Sequence, residues 1–317
     1  MTVLPLSPSI APESDAARRD AMFRETALER LERWALGLAW PLKPRRVAGL
    51  PALAGLWLAD LIAPNYDLPE PERTRNAGGL CGMVHDLSVA TLVEAYARGL
   101  FTFAHVGPLK WISPSQRCVL FFDEIHLAKK LRRQIRQGRY HVTFDQDFEA
   151  VIKACAGPRD GKWHVTWITP RIMHAYAALF DAGYVHSFEV WNEAGELAGG
   201  GYGVAIGGAF FTESQFSREP NTSKIGFAVL NWHLAQWGYR LNDGKWPTPT
   251  TLGMGFRSIP RRLFLKELAT SAQGSGKTGP WSVETDLKTV AAWEPQPIGA
   301  RARKSTVPVA EVEPMGF

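Results

Sequence analysis

The sequence predicts an α+β fold: a mixed, mainly antiparallel sheet with helices on both faces. Two observations carry this. Helical periodicity comes first along the chain, followed by a body that reads β-α-α-β-β-β-α-β. The strand-like runs of that body are joined by tight turns, Asn192 to Glu196 and Gly207-Gly208, as antiparallel neighbours require. No internal repeat is present.

Residues 1 to about 18 are polar and rich in Pro, Ser and Ala, and are expected to be disordered. From Phe23, the apolar residues Leu28, Leu31, Ala35 and Leu38 fall at helical spacing, and Pro41 ends that helix. Lys43, Arg45 and Arg46 then precede an apolar segment, Leu50 to Ala63, that is too short to span a bilayer. Residues 1–70 thus read as a partly helical N-terminal extension that packs on the body or lies on a membrane surface.

A Pro/Glu/Arg/Gly connector, Pro64 to Gly79, leads into a small N-terminal domain assigned to 71–122. There Asp86 or Ser88 caps a helix whose inner face carries Leu92, Ala95 and Tyr96, and Gly99 ends it. Cys118 to Phe122 reads as a short buried strand.

The main domain is assigned to 123–270. A helix is predicted from Ile125 to Arg139, a strand from Tyr140 to Phe144 and a helix from Phe148 to Cys155. Thr169 and Pro170 open the next helix, which runs towards Phe180. Strands follow at His186 to Trp191, Leu197 to Ala205 and Ala209 to Thr212. A long helix from Ser223 to Trp237 and a strand from Arg240 to Asp243 complete the pattern. Residues 271–317 have no clear period and are expected to form a flexible tail.

Composition narrows the function classes. The 317 residues are 45% hydrophobic and 21% charged, which is globular rather than disordered. The start has no secretory pattern, and no run reaches membrane-spanning length. Three widely spaced cysteines suit reduced thiols in a cytosol, so a cytoplasmic location is expected. Neither Cys nor His residues have metal-ligand spacing, so no metal is expected. The net charge of +5 is compatible with a polyanionic partner.

Chemistry is suggested in two places. The predicted helix from Ile125 carries Lys129, Lys130, Arg132, Arg133, Arg136 and Arg139, most of them three or four residues apart. They share a broad face that would gain phosphate affinity by counterion release; a merely solvated helix face is the alternative. Glu213 and Asp243 stand at the ends of apolar strands, where a carboxylate can orient an amine, accept its proton, or simply cap a turn. The glycine run from Gly199 to Gly208 lacks the Lys-Ser/Thr of a phosphate loop, and reads as a site of close backbone approach. No Gly-x-Ser-x-Gly elbow is present.

Several motifs then occur in one order: Tyr96-Ala-Arg-Gly-Leu-Phe, Trp111-Ile-Ser-Pro, Thr166-Trp-Ile-Thr, His186-Ser-Phe-Glu-Val-Trp and Gly199-Gly-Gly-Tyr-Gly-Val. Glu213-Ser-Gln-Phe-Ser-Arg, Asn221-Thr-Ser-Lys and Ile259-Pro-Arg complete the series. In this the chain resembles the leucyl/phenylalanyl-tRNA–protein transferases over roughly residues 78–268. The resemblance implies a small N-terminal domain followed by a catalytic domain like the GNAT acetyltransferases. It also implies transfer of Leu, Phe or Met from charged tRNA to the N-terminal Lys or Arg of proteins, marking them for degradation. The enzyme would need no cofactor, because the aminoacyl ester carries the activation; a monomer is expected.

Carried over by position, Asp243 matches the catalytic aspartate, and Glu213 with Ser214 the acid-bearing motif. Trp167 and Tyr176 match aromatics near the terminal adenosine and the entering peptide. Phe210, Phe227, Leu230 and Leu234 match the pocket for the amino-acid side chain, and the cationic helix matches the grip on the acceptor stem. The chain departs from the family pattern at Lys245, where a glutamine is usual, at Pro247 to Thr250, at Phe103 and at Gly201. With a lysine two residues from Asp243, a changed acceptor is the alternative reading, beside a non-catalytic module that only binds charged tRNA.

Overall fold

The computed structural model describes residues 15–39, 47, 49–76, 78–104, 108–158 and 166–295. The first 14 residues, the basic run at 43–46 and the chain end from 296 lie outside the described residues.

Among the described residues, three helices come first: α1 (Asp15–Phe23), α2 (Ala27–Ala39) and α3 (Leu50–Ile62). Helix α1 falls partly in the stretch expected to be disordered. Charge pairing fixes it instead: Arg18 and Arg19 both reach Glu149, Arg19 also binds Asp181, and Phe23 is buried. A three-stranded antiparallel sheet follows in the order β1-β3-β2, from β1 (Leu80–Met83), β2 (Phe101–Phe103) and β3 (Lys110–Ile112). Between β1 and β2 lies α4 (Val89–Ala97), whose N-cap Ser88 accepts a hydrogen bond from the Thr91 amide, as the sequence predicts.

The large sheet has seven strands in the order β10-β4-β9-β8-β7-β6-β5. They are β4 (Gln116–Phe121), β5 (His141–Phe144), β6 (Val185–Trp191), β7 (Leu197–Ile206), β8 (Ala209–Ser217), β9 (Leu241–Asp243) and β10 (Arg257–Pro260). Every adjacent pair is antiparallel except β8 and β9, which run parallel. Strand β4 pairs with β9 and β10, so the chain enters the large sheet at Gln116 rather than after the expected boundary at 122.

Side chains alternate cleanly across this sheet. Val119, Phe121, Tyr202, Val204 and Phe211 belong to one apolar cluster, closed by α4, α6 (Phe148–Ala156), α7 (Pro170–Asp181) and α10 (Arg261–Ala272). Cys118, Leu120, Phe188, Val190, Ala205 and Phe210 belong to the other. That second face is covered by α5 (Lys129–Arg136), α8 (Thr222–Gln236) and α11 (Leu287–Ala292). The glycines of β7 serve close approach: a Cβ at Gly199 would lie 2.4 Å from Thr222 Oγ1 on α8, and one at Gly203 would lie 2.4 Å from the Phe210 ring.

Two expectations are corrected. Helix α5 ends at Arg136, because Gly138 has φ +65°; Arg139 lies beyond it. The stretch 273–295 is not a loose tail. Trp281 is 2% exposed and stacks on His186 with ring centroids 3.6 Å apart, while its amide donates to Asp145. Trp281 and the short helix α11, through Val290 and Ala291, anchor this segment, too few residues to show a period in the sequence.

Candidate active site

The parallel pair β8–β9 brings Glu213 and Asp243 onto neighbouring strands. Phe211 is in register with Asp243. The β7–β8 register shifts between Tyr202 and Gly203, so that Ser214 faces Tyr202 and Thr212 faces Gly203. Glu213 is therefore the extra residue of a β-bulge, a device that re-aims a side chain away from regular alternation.

Asp243 is wholly buried, and its carboxylate is saturated. Arg117 Nε donates to Oδ1 at 2.9 Å and Nη2 to Oδ2 at 2.6 Å, while the Lys245 amide donates to Oδ1 at 2.9 Å. The Arg117 guanidinium also donates to Gly99 O, and lies between the rings of Phe101 and Phe264. An arginine in an otherwise apolar strand was the sequence signal for this partner, and it was missed.

The side chain of Glu213 is 1% exposed. Its Oε1 is 2.5 Å from Lys245 Nζ and accepts from the Tyr96 hydroxyl at 2.7 Å. Its Oε2 is buried with no hydrogen-bond partner. Tyr96 stands 2.5 Å from Tyr176 through the two hydroxyls; since Tyr96 gives its single proton to Glu213, Tyr176 supplies the second. Burial, then the charge of Glu213, pushes both phenols well above the ordinary tyrosine value, so they stay protonated donors. The hydroxyl of Tyr202, also buried, has no partner, and its ring meets Tyr176 edge-on at 5.6 Å.

Lys245 adopts φ +61°, and Nζ donates to Thr212 O at 2.8 Å. Burial lowers its pKa against the opposing pull of Glu213 and Asp243. Beyond it, Thr248 of the Pro247-to-Thr250 departure forms a capping box with Thr251 and starts α9 (Pro249–Gly253).

Aromatics collect on the same side. Trp167 is half-buried, 6.2 Å from Tyr176 and 6.1 Å from Phe103, and Trp246 meets Phe101 and Phe103 edge-on. Ser214 lies opposite Tyr202. Phe210, Phe227, Leu230 and Leu234 are buried together in the apolar cluster of the other face. A polar ladder runs within that face: Thr212 donates to Asn242, and Asn242 donates to Asn231.

The cations of α5 divide. Lys129, Lys130, Arg133 and Arg136, with Arg139 beyond the helix, are exposed. Arg132 is not, because it donates to Leu127 O and Ala291 O and pairs with Glu294. The helix lies on the α8 face of the sheet, opposite Tyr96.

Comparison with known proteins places this arrangement. Residues 119–269 match the family described as leucyl/phenylalanyl-tRNA protein transferase. A leucyl/phenylalanyl-tRNA–protein transferase of Pseudomonas syringae pv. syringae is 47% identical over 207 residues, covering 65% of this chain and 90% of that protein. The chain belongs to this family.

A leucyl/phenylalanyl-tRNA–protein transferase of Azotobacter vinelandii is 49% identical over 65% of the chain and 92% of its own length. One from Alkalilimnicola ehrlichii is 40% identical over 74% and 91%. The α+β architecture of this chain, with a mixed and mainly antiparallel sheet, is the one the sequence predicts. Among the described residues, no helix is long and apolar enough to cross a membrane, and no cluster of His, Cys, Asp or Glu could hold a metal ion.

Proposed function

We infer that this chain moves an amino acid from charged tRNA to the N-terminus of a protein, taking Leu or Phe, with Met as a third substrate, and acting on N-terminal Lys or Arg. Membership of the transferase family supports the activity. The observation that carries the site is Glu213 Oε2, a buried acceptor with no partner of its own, beside the protonated phenol network. A buried carboxylate oxygen left unpaired is costly unless a ligand donates to it, and an α-amine is such a donor.

The reaction is aminolysis. The acceptor's α-nitrogen attacks the ester carbonyl, the C–N bond forms, and the ester C–O bond to the terminal ribose breaks. The nitrogen loses one proton and the ribose oxygen gains one. The ester carries the activation, so this reading asks for no metal or diffusible cofactor. Glu213 would hold the amine, while Tyr96 and Tyr176 hold Glu213. Asp243, saturated by Arg117 and the Lys245 amide, would act by positioning Lys245 rather than by touching the substrate. Such positioning is a large share of what acyl transfer from an activated ester needs. Trp167 suits stacking on the terminal adenine, Phe210, Phe227, Leu230 and Leu234 would shape the side-chain pocket, and the exposed cations of α5 would grip the acceptor stem. Discrimination among apolar side chains has only about 1–3 kcal/mol per methylene to draw on.

A second reading, a changed acceptor, rests on the Lys245–Glu213 ion pair, which sets a cation against the carboxylate proposed to receive the amine. Mass spectrometry of peptides with N-terminal Arg, Lys or neutral residues, after incubation with a mixed pool of charged tRNA, separates the two. Added Leu, Phe or Met on Arg and Lys peptides supports the first reading. Addition confined to neutral N-termini supports the second, and no addition to any peptide would refute both.

A further inference from the structure

The face proposed to receive the amino-acid side chain is not wholly apolar. Asn231 on α8 and Asn242 on β9 are both fully buried there. Asn242 is in register with Phe210 across the β8–β9 pair and directly precedes Asp243. Asn231 follows Leu230, with Phe227 and Leu234 about one turn to either side on the same helix. The two amides stand among the residues assigned to the pocket.

The hydrogen bonds fix how each amide is turned. Phe227 O can only accept, so the Asn231 nitrogen faces it, at 2.7 Å. Asn231 Oδ1 then accepts from the Asn242 nitrogen at 2.9 Å, which leaves Asn242 Oδ1 to accept from the Thr212 hydroxyl at 2.7 Å. A primary amide has two N–H donors and two lone pairs on its oxygen. Among the described residues, each of these amides uses one donor and one lone pair. One N–H of each is left over at full burial, where an unmade hydrogen bond is costly.

A pocket that sorted Leu and Phe by shape alone would have no use for such groups. Of the three side chains proposed for the donor, only that of Met has an atom that accepts from an N–H. This is the thioether sulfur, at the δ position of an unbranched chain. A thioether also makes favourable contacts with aromatic rings, and Phe210 and Phe227 supply two in the same cluster. Leu or Phe in that place would leave the amide hydrogens facing hydrocarbon.

We propose that Asn231 and Asn242 select for Met, so that this protein takes Met-tRNA ahead of Leu- and Phe-tRNA. The preference rests on the transfer reaction and the pocket residues inferred above.

Single-turnover transfer to peptides with an N-terminal Arg or neutral residue tests it, at matched tRNA occupancy. Met-tRNA is set against tRNA carrying norleucine, which has the same length and shape but no sulfur. The wild type is expected to transfer Met at least about threefold faster than norleucine, and faster than Leu or Phe. Thr212→Val/Asn231→Leu/Asn242→Leu removes the whole ladder and strands none of its side chains, so the Met-to-norleucine ratio should fall towards one. Thermal melts check that this variant folds; if it does not, the wild-type ratio decides alone. Equal wild-type rates for Met and norleucine, slower transfer of Met than of Leu, or a ratio unchanged in the folded variant would overturn the proposal and leave the transfer reaction standing. No transfer from any charged tRNA would overturn both.

Discussion

Arg117 and Asp243, 126 residues apart in the chain, meet in a bidentate, fully buried ion pair that ties β4 to β9. Removing either partner leaves a bare charge in the core. Arg117→Met or Asp243→Leu is expected to cost about 3–5 kcal/mol each, and the double variant Arg117→Met/Asp243→Leu less than their sum. Urea unfolding of the three variants measures this. Strict additivity would mean the pair is not coupled.

The Lys245–Glu213 pair has a pH signature. Because burial lowers the Lys245 pKa, the folded protein binds fewer protons there than the unfolded chain over a window reaching up to 10.5, the ordinary lysine value. Stability from this group therefore rises as pH rises towards 10.5, and is lost as pH falls through the lowered folded value. Lys245→Met removes that contribution and strands Glu213, at a cost of about 3–5 kcal/mol. The gap between wild type and variant should widen as pH rises towards 10.5 in urea melts. A constant gap would show that burial does not depress this lysine.

The α5 cations should separate by role. Lys130→Gln, Arg133→Gln and Arg136→Gln, at exposed positions, are expected to weaken tRNA binding and lower the salt slope by about one unit each, with melting unchanged. Arg132→Ala should lower stability instead, since that guanidinium holds Ala291 and Glu294. Filter binding across a salt series, beside thermal melts, reads both. Equal behaviour of all four substitutions would remove the distinction.

Trp281 anchors the strap at 273–295 over the second apolar cluster. Trp281→Ala is expected to cost about 3–5 kcal/mol in chemical denaturation, as for other buried aromatics. A change within experimental error would return this segment to the status of a tail.

Strand and helix positions from Tyr140 to Asp243 were legible in the sequence because helix starts and tight turns bound them; the central strands are buried on both faces and carry no period-2 signal. Ser88, Gly99 and Pro170 were legible through their local chemistry as cap, terminator and first helical residue. The segment at 273–295 was not, because Trp281 and the short helix α11, through Val290 and Ala291, hold it with too few residues to set a period. Strand β10 was hidden by its short, mixed pattern Arg-Ser-Ile-Pro. At the site, Glu213 and Asp243 stood out as acids at strand ends. Their partners Arg117, Tyr96 and Tyr176 come from three distant parts of the chain, and only the fold unites them. Lys245 showed as a departure from the family pattern, but its pairing with Glu213 rather than Asp243 follows from the bulge at Glu213, which a register-blind reading cannot see.

The account turns on Glu213 as the group that receives the acceptor amine. The direct measurement is single-turnover transfer from Leu-, Phe- or Met-tRNA to a peptide with N-terminal Arg, comparing the wild type with Glu213→Gln at matched tRNA occupancy. The account predicts transfer by the wild type and a fall of about a hundredfold or more in the variant's rate, with tRNA affinity retained. An unchanged rate in Glu213→Gln would contradict it.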